Sequence, residues 1–295
     1  MGTEYNKDEI IKFGNISALK ERQLGDKLNQ DINNALWWYK KILFDFGRED
    51  YPPSLNREEI ALLEKIAAKE EKRIKNILQE LRPAHGDYIL DCGCGPGTFS
   101  IYAAREGARV VALDIDDNAL KIAKLLSDYF GVSQNITFIS SDLKAGFDSL
   151  KDKFFNKIIF ADVIEHIENE QKPRIINMVF RLLKPGGKIL IHTDNPTRVK
   201  LGVIFRKVEA LFLFKNPTYY NIPWSGVRLG HVGLIHPSTL SRMLKQHKLK
   251  VKIIFDSSKI PFLPNRFGLL HKIFTQNVPF FRNILSGYIV TAEKL

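Results

Sequence analysis

From about Asp87 onward the sequence predicts a doubly wound, mostly parallel α/β sheet, and three observations lead there. An apolar strand, Tyr88–Asp91, breaks into a turn carrying Gly93, Gly95 and Gly97, and a helical pattern follows. Short apolar runs then alternate with amphipathic helical stretches, the pattern of successive β-α units. Finally, Lys184-Pro-Gly-Gly187 reads as a helix stop feeding a further strand.

Taken in order, residues 1–84 form an extension that is mostly helical by pattern. Asn56 with Glu59 reads as a capping box. Ile60, Leu63, Ala67, Ile74, Leu78 and Leu81 then recur at helical spacing until Pro83 stops the run. Strands are expected at 88–91, 109–114, 136–140, 157–161, 187–192, 249–255 and 286–292. Helices are expected near 98–106, 117–130, 170–183 and 237–247. Two connections, 194–236 and 256–285, are longer than a minimal sheet needs, and long connections of this kind are commonly lids. The expected organisation is an N-terminal helical extension over 1–84 and an α/β domain over 85–295 carrying that lid.

At 295 residues, with 44% hydrophobic and 26% charged residues, the chain can bury one sizeable core. Its two cysteines, Cys92 and Cys94, are too close to bridge without strain, so no disulfide framework or zinc ribbon is expected. Met1–Asp8 is polar with no apolar core of a signal peptide behind it, and the apolar runs are short, so a cytoplasmic protein is the default expectation. The net charge of +11 is concentrated: Arg198–Tyr288 holds 15 Lys/Arg against Glu209 and Asp256. Aromatics such as Phe205, Phe212, Phe214 and Phe262 interleave with these cations. That mixture suits an anionic amphiphile, peripheral contact with an anionic membrane, or a nucleic acid; a solvated basic face is the plainer alternative.

Glycines are needed at 93–97 because the backbone must turn sharply and let a ligand lie against it with no Cβ in the way. A dinucleotide fingerprint spaces its glycines G-x-G-x-x-G, whereas here the third comes one residue early, which argues against a dehydrogenase. The turn, with Asp91 closing the strand before it, resembles motif I of the class I S-adenosylmethionine-dependent methyltransferases. That resemblance implies a Rossmann-like fold of seven strands whose last pair is an antiparallel hairpin. It implies S-adenosylmethionine as cofactor, with Asp91 on its ammonium and Gly93, Cys94, Gly95 and Gly97 along its methionine part. Strand 109–114 ends on Asp114, about 20 residues beyond the turn, where a carboxylate accepts ribose hydroxyls. By the same resemblance Asp142 matches the adenine acid, and Ile115, Leu143 and Asp162 complete the cofactor-binding set.

The fourth strand runs into Asp162-Val-Ile-Glu-His166. A helical turn beginning at Asp162 would put Asp162, Glu165 and His166 on one face. Two resembling groups, the ubiquinone-pathway O-methyltransferases and the small-RNA 3′-terminal 2′-O-methyltransferases, hold a divalent metal with this layout. Matched residue by residue, the ligands would be Asp162, Glu165, His166 and His231. Those groups carry Glu at the first position, and the shorter Asp162 counts against a metal here. Alternatively His166 or His231 serves as general base for an acceptor hydroxyl, or Glu165 and His166 cap the next helix and shape the pocket floor. The other histidines, His192 among them, read as structural or surface residues.

The expected activity is O-methylation of a small or amphiphilic acceptor, with Tyr219, Tyr220, Trp224 and Arg228 as substrate contacts. An RNA methyltransferase is favoured by the charge but by no RNA-binding module. A cofactor-binding scaffold without catalysis is the remaining class.

Overall fold

The computed structural model of the protein describes residues 73–200, 204, 232–255 and 287–295. Seven strands occur in chain order: β1 (Tyr88–Cys92), β2 (Arg109–Asp114), β3 (Ile136–Ser140), β4 (Phe155–Ala161), β5 (Leu183–Thr193), β6 (Leu249–Phe255) and β7 (Tyr288–Lys294). They form one sheet of order β3-β2-β1-β4-β5-β7-β6. The β2–β3, β1–β4 and β4–β5 pairs are parallel, whereas β7 runs antiparallel to both β5 and β6. The chain divides into two compact units, Met1–Gly86 with Cys94–Ser141, and Asp87–Gly93 with Asp142–Leu295.

In the first unit, a helix runs through residue 81 and stops before Pro83 as expected, burying Ile74, Ile77 and Leu81 along one stripe. Helix Thr98–Arg105 leaves the glycine turn, and Gly97 at its start has φ 82, a left-handed conformation. Helix Asp117–Tyr129 is capped by the Asp116 carboxylate, which accepts from Asn118 N at 3.0 Å and Ala119 N at 3.4 Å. It buries Ala119, Leu120, Ile122, Ala123 and Leu126.

The second unit is built on β4 and β5, whose Ile158-Ile159-Phe160 and Ile189-Leu190-Ile191 runs are buried without alternation. Burial on both faces is what a parallel sheet covered on two sides demands. Helix Lys172–Leu182 buries Ile175, Ile176, Val179 and Leu182, and helix Pro237–Lys245 buries Leu240 and Leu244.

Three expectations are corrected. β5 begins at Leu183 rather than 187, because Leu183 already pairs with Phe155 and a bulge between Phe155 and Lys157 absorbs the irregularity; Lys184–Gly187 lies within the strand. β7 is displaced by two residues toward the C-terminus, its register set by β5 and β6. A short helix at Leu143–Asp148, not anticipated, follows Asp142. Most of the proposed lid lies outside the described residues.

Candidate functional site

Within the first unit the glycine turn is tied to the end of β2. Gly95 N donates to Asp114 Oδ2 at 2.7 Å, Asp116 N to Asp114 Oδ1 at 2.8 Å, and Cys94 N to the Leu113 carbonyl at 3.0 Å. An ionised carboxylate offers about four lone-pair sites, so with two amides bound Asp114 retains capacity for two hydroxyls. Ile115, the next residue, is 64% exposed, a large apolar side chain open to a planar partner. A Cβ added at Gly97 would lie 3.0 Å from the Ala123 Cβ, so this glycine also allows a close helix approach.

In the second unit β1 ends on Asp91, which is 2% exposed, and Cys92, whose thiol burial and the Asp91 charge push well above its usual range. Such a thiol is inert, consistent with a small side chain tolerated beside a ligand. Gly93 has φ 66, and a Cβ there would come 2.6 Å from Val163 Cγ2. The Val163 side chain, just after β4, therefore lies directly on this glycine. Asp142 is exposed and caps the helix behind it, its Oδ1 accepting from Lys144 N at 2.9 Å and Ala145 N at 3.0 Å.

The segment after β4 corrects another expectation. Asp162 has φ 59, so no helical turn starts there; a tight turn spans Ile164–His166 instead. Asp162, Glu165 and His166 consequently do not share one face. Asp162 pairs with His192 Nδ1 at 2.5 Å, Glu165 turns inward, and His166 is exposed. Thr193 Oγ1 donates to Glu165 Oε2 at 2.9 Å. Burial, reinforced by the Asp162 charge, pushes the Glu165 carboxyl up to about 8.

Behind the turn Lys172 is wholly buried, its ammonium bonded to the Ile167 carbonyl and, at 3.0 Å, to Asn169 Oδ1. Burial lowers it to about 8 although Glu165 and Glu170 oppose the shift. Gly233 N donates to the Glu165 carbonyl at 2.8 Å, and a Cβ there would overlap the Ile167 carbonyl and Lys172 Nζ. Two residues on, the Ile235 carbonyl accepts from Tyr288 Oη at 2.6 Å.

Sequence reasoning missed His192, Thr193, Lys172 and Gly233. For His192 a signal existed, since a histidine in the apolar run Ile189–Thr193 must find a partner when both faces are covered. His231, Tyr219, Tyr220, Trp224 and Arg228 lie outside the described residues, as do Phe205, Phe212 and Phe214. Among the described residues no group of three or more His, Cys, Asp or Glu could hold a metal ion, and no helix is long and apolar enough to cross a membrane.

A family model described as a methyltransferase domain matches residues 61–252. A ubiquinone biosynthesis O-methyltransferase of Xanthomonas axonopodis pv. citri is 31% identical over 155 residues, covering 50% of this chain and 60% of that protein. One of the same name from Rickettsia felis is 27% identical over 197 residues, covering 63% and 73%. The chain thus spans less than two thirds of the first relative's length. Among solved structures, a SAM-dependent methyltransferase from Archaeoglobus fulgidus superposes with a TM-score of 0.53 at 20% identity, covering 77% of this chain and 94% of that one.

Proposed function

We propose, from the premise that this chain belongs to the methyltransferase-domain family, that it transfers the methyl group of S-adenosylmethionine to an oxygen of a small or amphiphilic acceptor. The observation that carries the reading is the Gly95–Asp114 bond, which ties a glycine turn to a carboxylate with acceptor capacity to spare. Ile115 stands exposed next to Asp114 in the same unit, an apolar side chain open to an adenine ring.

When bound, S-adenosylmethionine supplies a methyl group on a positively charged sulfur, already activated for displacement. The chain's own part is to bind, orient and exclude water. Gly93, Cys94, Gly95 and Gly97 offer bare main chain, Asp91 accepts from the ammonium, and Asp114 accepts from the ribose hydroxyls. Ile115 and Leu143 flank the adenine, Asp142 accepts from its amino group, and Asp162 lines the methyl-donor end. An oxygen acceptor must also give up a proton. His166, exposed on the turn after β4, or His231, two residues before Gly233, takes it. Glu165, held inward by Thr193, shapes the pocket floor.

The substrate class draws support from the relatives' printed name, ubiquinone biosynthesis O-methyltransferase, and from the basic, aromatic composition of 194–236 and 256–285. Tyr219, Tyr220, Trp224 and Arg228 are the proposed acceptor contacts, and an anionic membrane surface the proposed place of work. The test is transfer from methyl-labelled cofactor to separated lipid, small-molecule and RNA pools, with and without a chelator. Label in the solvent-extractable pools is the expected result; label confined to RNA overturns the acceptor class.

A further inference from the structure

The functional reading gives His192 no task, yet its placement is specific. It lies on β5 in register with Ala161 of β4, and it holds the following residue, Asp162, at two points. Its carbonyl accepts from Asp162 N at 3.0 Å, and its Nδ1 lies 2.5 Å from Asp162 Oδ1. An ionised carboxylate only accepts, so Nδ1 carries the proton.

The His192 ring is nearly buried, with 9% side-chain exposure against 41% for Asp162, so the pair has a shielded inner half and an open outer half. Asp162 needs such a hold, because φ 59 is a left-handed conformation that costs a non-glycine residue on the order of 1 kcal/mol. That conformation turns the chain so that Val163 lies on Gly93. Ring, left-handed aspartate, valine and glycine make one contiguous run of contacts inside a single compact unit.

We propose that His192 is a positioning residue of the methyl-donor pocket, fixing the Asp162 carboxylate and, through the turn it maintains, the Val163 wall against Gly93. It rests on the reading of Gly93 and Asp162 as cofactor-binding residues. The ring acts through Asp162 and touches neither donor nor acceptor.

Side-chain geometry supplies the test. An asparagine amide nitrogen can occupy the place of Nδ1, whereas a glutamine nitrogen reaches to the place of Nε2. S-adenosylhomocysteine binding to the full chain is measured by calorimetry for His192→Asn, His192→Gln and His192→Ala, with thermal melting alongside. Gln and Ala are expected to weaken binding about tenfold or more, as loss of one charge-assisted hydrogen bond would. Asn is expected to stay within about threefold of wild type while melting close to the Gln variant. On an Asp162→Ala background, His192→Gln should cost nothing further. Equal affinities for the Asn and Gln variants overturn the proposal, as does a Gln loss that persists undiminished without Asp162. A wild-type protein that takes up no S-adenosylhomocysteine overturns the functional reading itself, and the proposal with it.

Discussion

The end of β2 and the turn after β4 both present acidic residues, yet they are built on opposite principles. At β2 the carboxylates of Asp114 and Asp116 are satisfied by main-chain amides close in sequence or in the glycine turn, and the neighbouring Ile115 faces solvent. At β4 the acids meet side chains from distant segments: Asp162 meets His192 and Glu165 meets Thr193, while the Glu165 main-chain carbonyl accepts from Gly233 N. Local amides leave a carboxylate open to a ligand and make its role a matter of short-range spacing. Long-range partners make the role of an acid a matter of tertiary packing, and at Glu165 burial also shifts its proton affinity.

The largest expected effect lies on the β4 side. Gly233→Ala drives a Cβ into the Ile167 main-chain carbonyl and the Lys172 ammonium. It should cost about 3 kcal/mol or more in urea unfolding. A loss below about 1 kcal/mol would mean that Gly233 does not seat on the turn. On the β2 side, Asp114→Ala should weaken S-adenosylhomocysteine binding about a hundredfold in calorimetry, because two ligand hydrogen bonds to a charged acceptor go together. Full affinity in that variant would erase the distinction drawn between the two sites.

Next comes pH. The folded Glu165 carboxyl keeps its proton up to about 8, against 4.5 for an ordinary one. Between these values the native state binds more protons than the unfolded state. The contribution of Glu165 to stability is therefore full below the lower value and is lost as pH rises through the upper one. Glu165→Gln should remove that decline, measured as the difference between wild-type and variant denaturation curves across those limits. Parallel curves would show that the acid is not buried as described. Smallest is Asp142, which caps helix Leu143–Asp148. Asp142→Ala should cost about 1 kcal/mol in stability, and Asp142→Ser should restore most of it. If Ser restores stability but not cofactor affinity, the cap and the adenine contact are separate duties of one side chain.

What the sequence makes legible follows the same divide. β2 and β3 lie at the residues expected, because Val110–Leu113 is a run of consecutive apolar residues bounded by polar ones and Ile136–Ile139 is apolar but for Thr137. The glycine turn and Asp114 are legible because their chemistry is contained in about 20 residues. The left-handed Asp162 is not, since nothing in Asp162–His166 itself forbids a helical start. Its partner His192 lies 30 residues away. The start of β5 is missed for a similar cause: Pro185 and two glycines speak locally for a break, and the pairing of Leu183 with Phe155 overrides them. Helix Leu143–Asp148 is too short for periodicity to reveal, and only its cap announces it.

The strand β7 lies between β5 and β6 and is the antiparallel partner of both, although it is synthesised after either. While the polypeptide is still emerging from the ribosome, Ile189–Ile191 and the β6 residues Val251–Phe255 have no rungs on their facing sides. Such apolar edges invite pairing with other nascent chains. A product ending before Tyr288 would therefore add two bare edges, one on β5 and one on β6, to those of the complete sheet, and should be an aggregating species instead of a merely weakened enzyme.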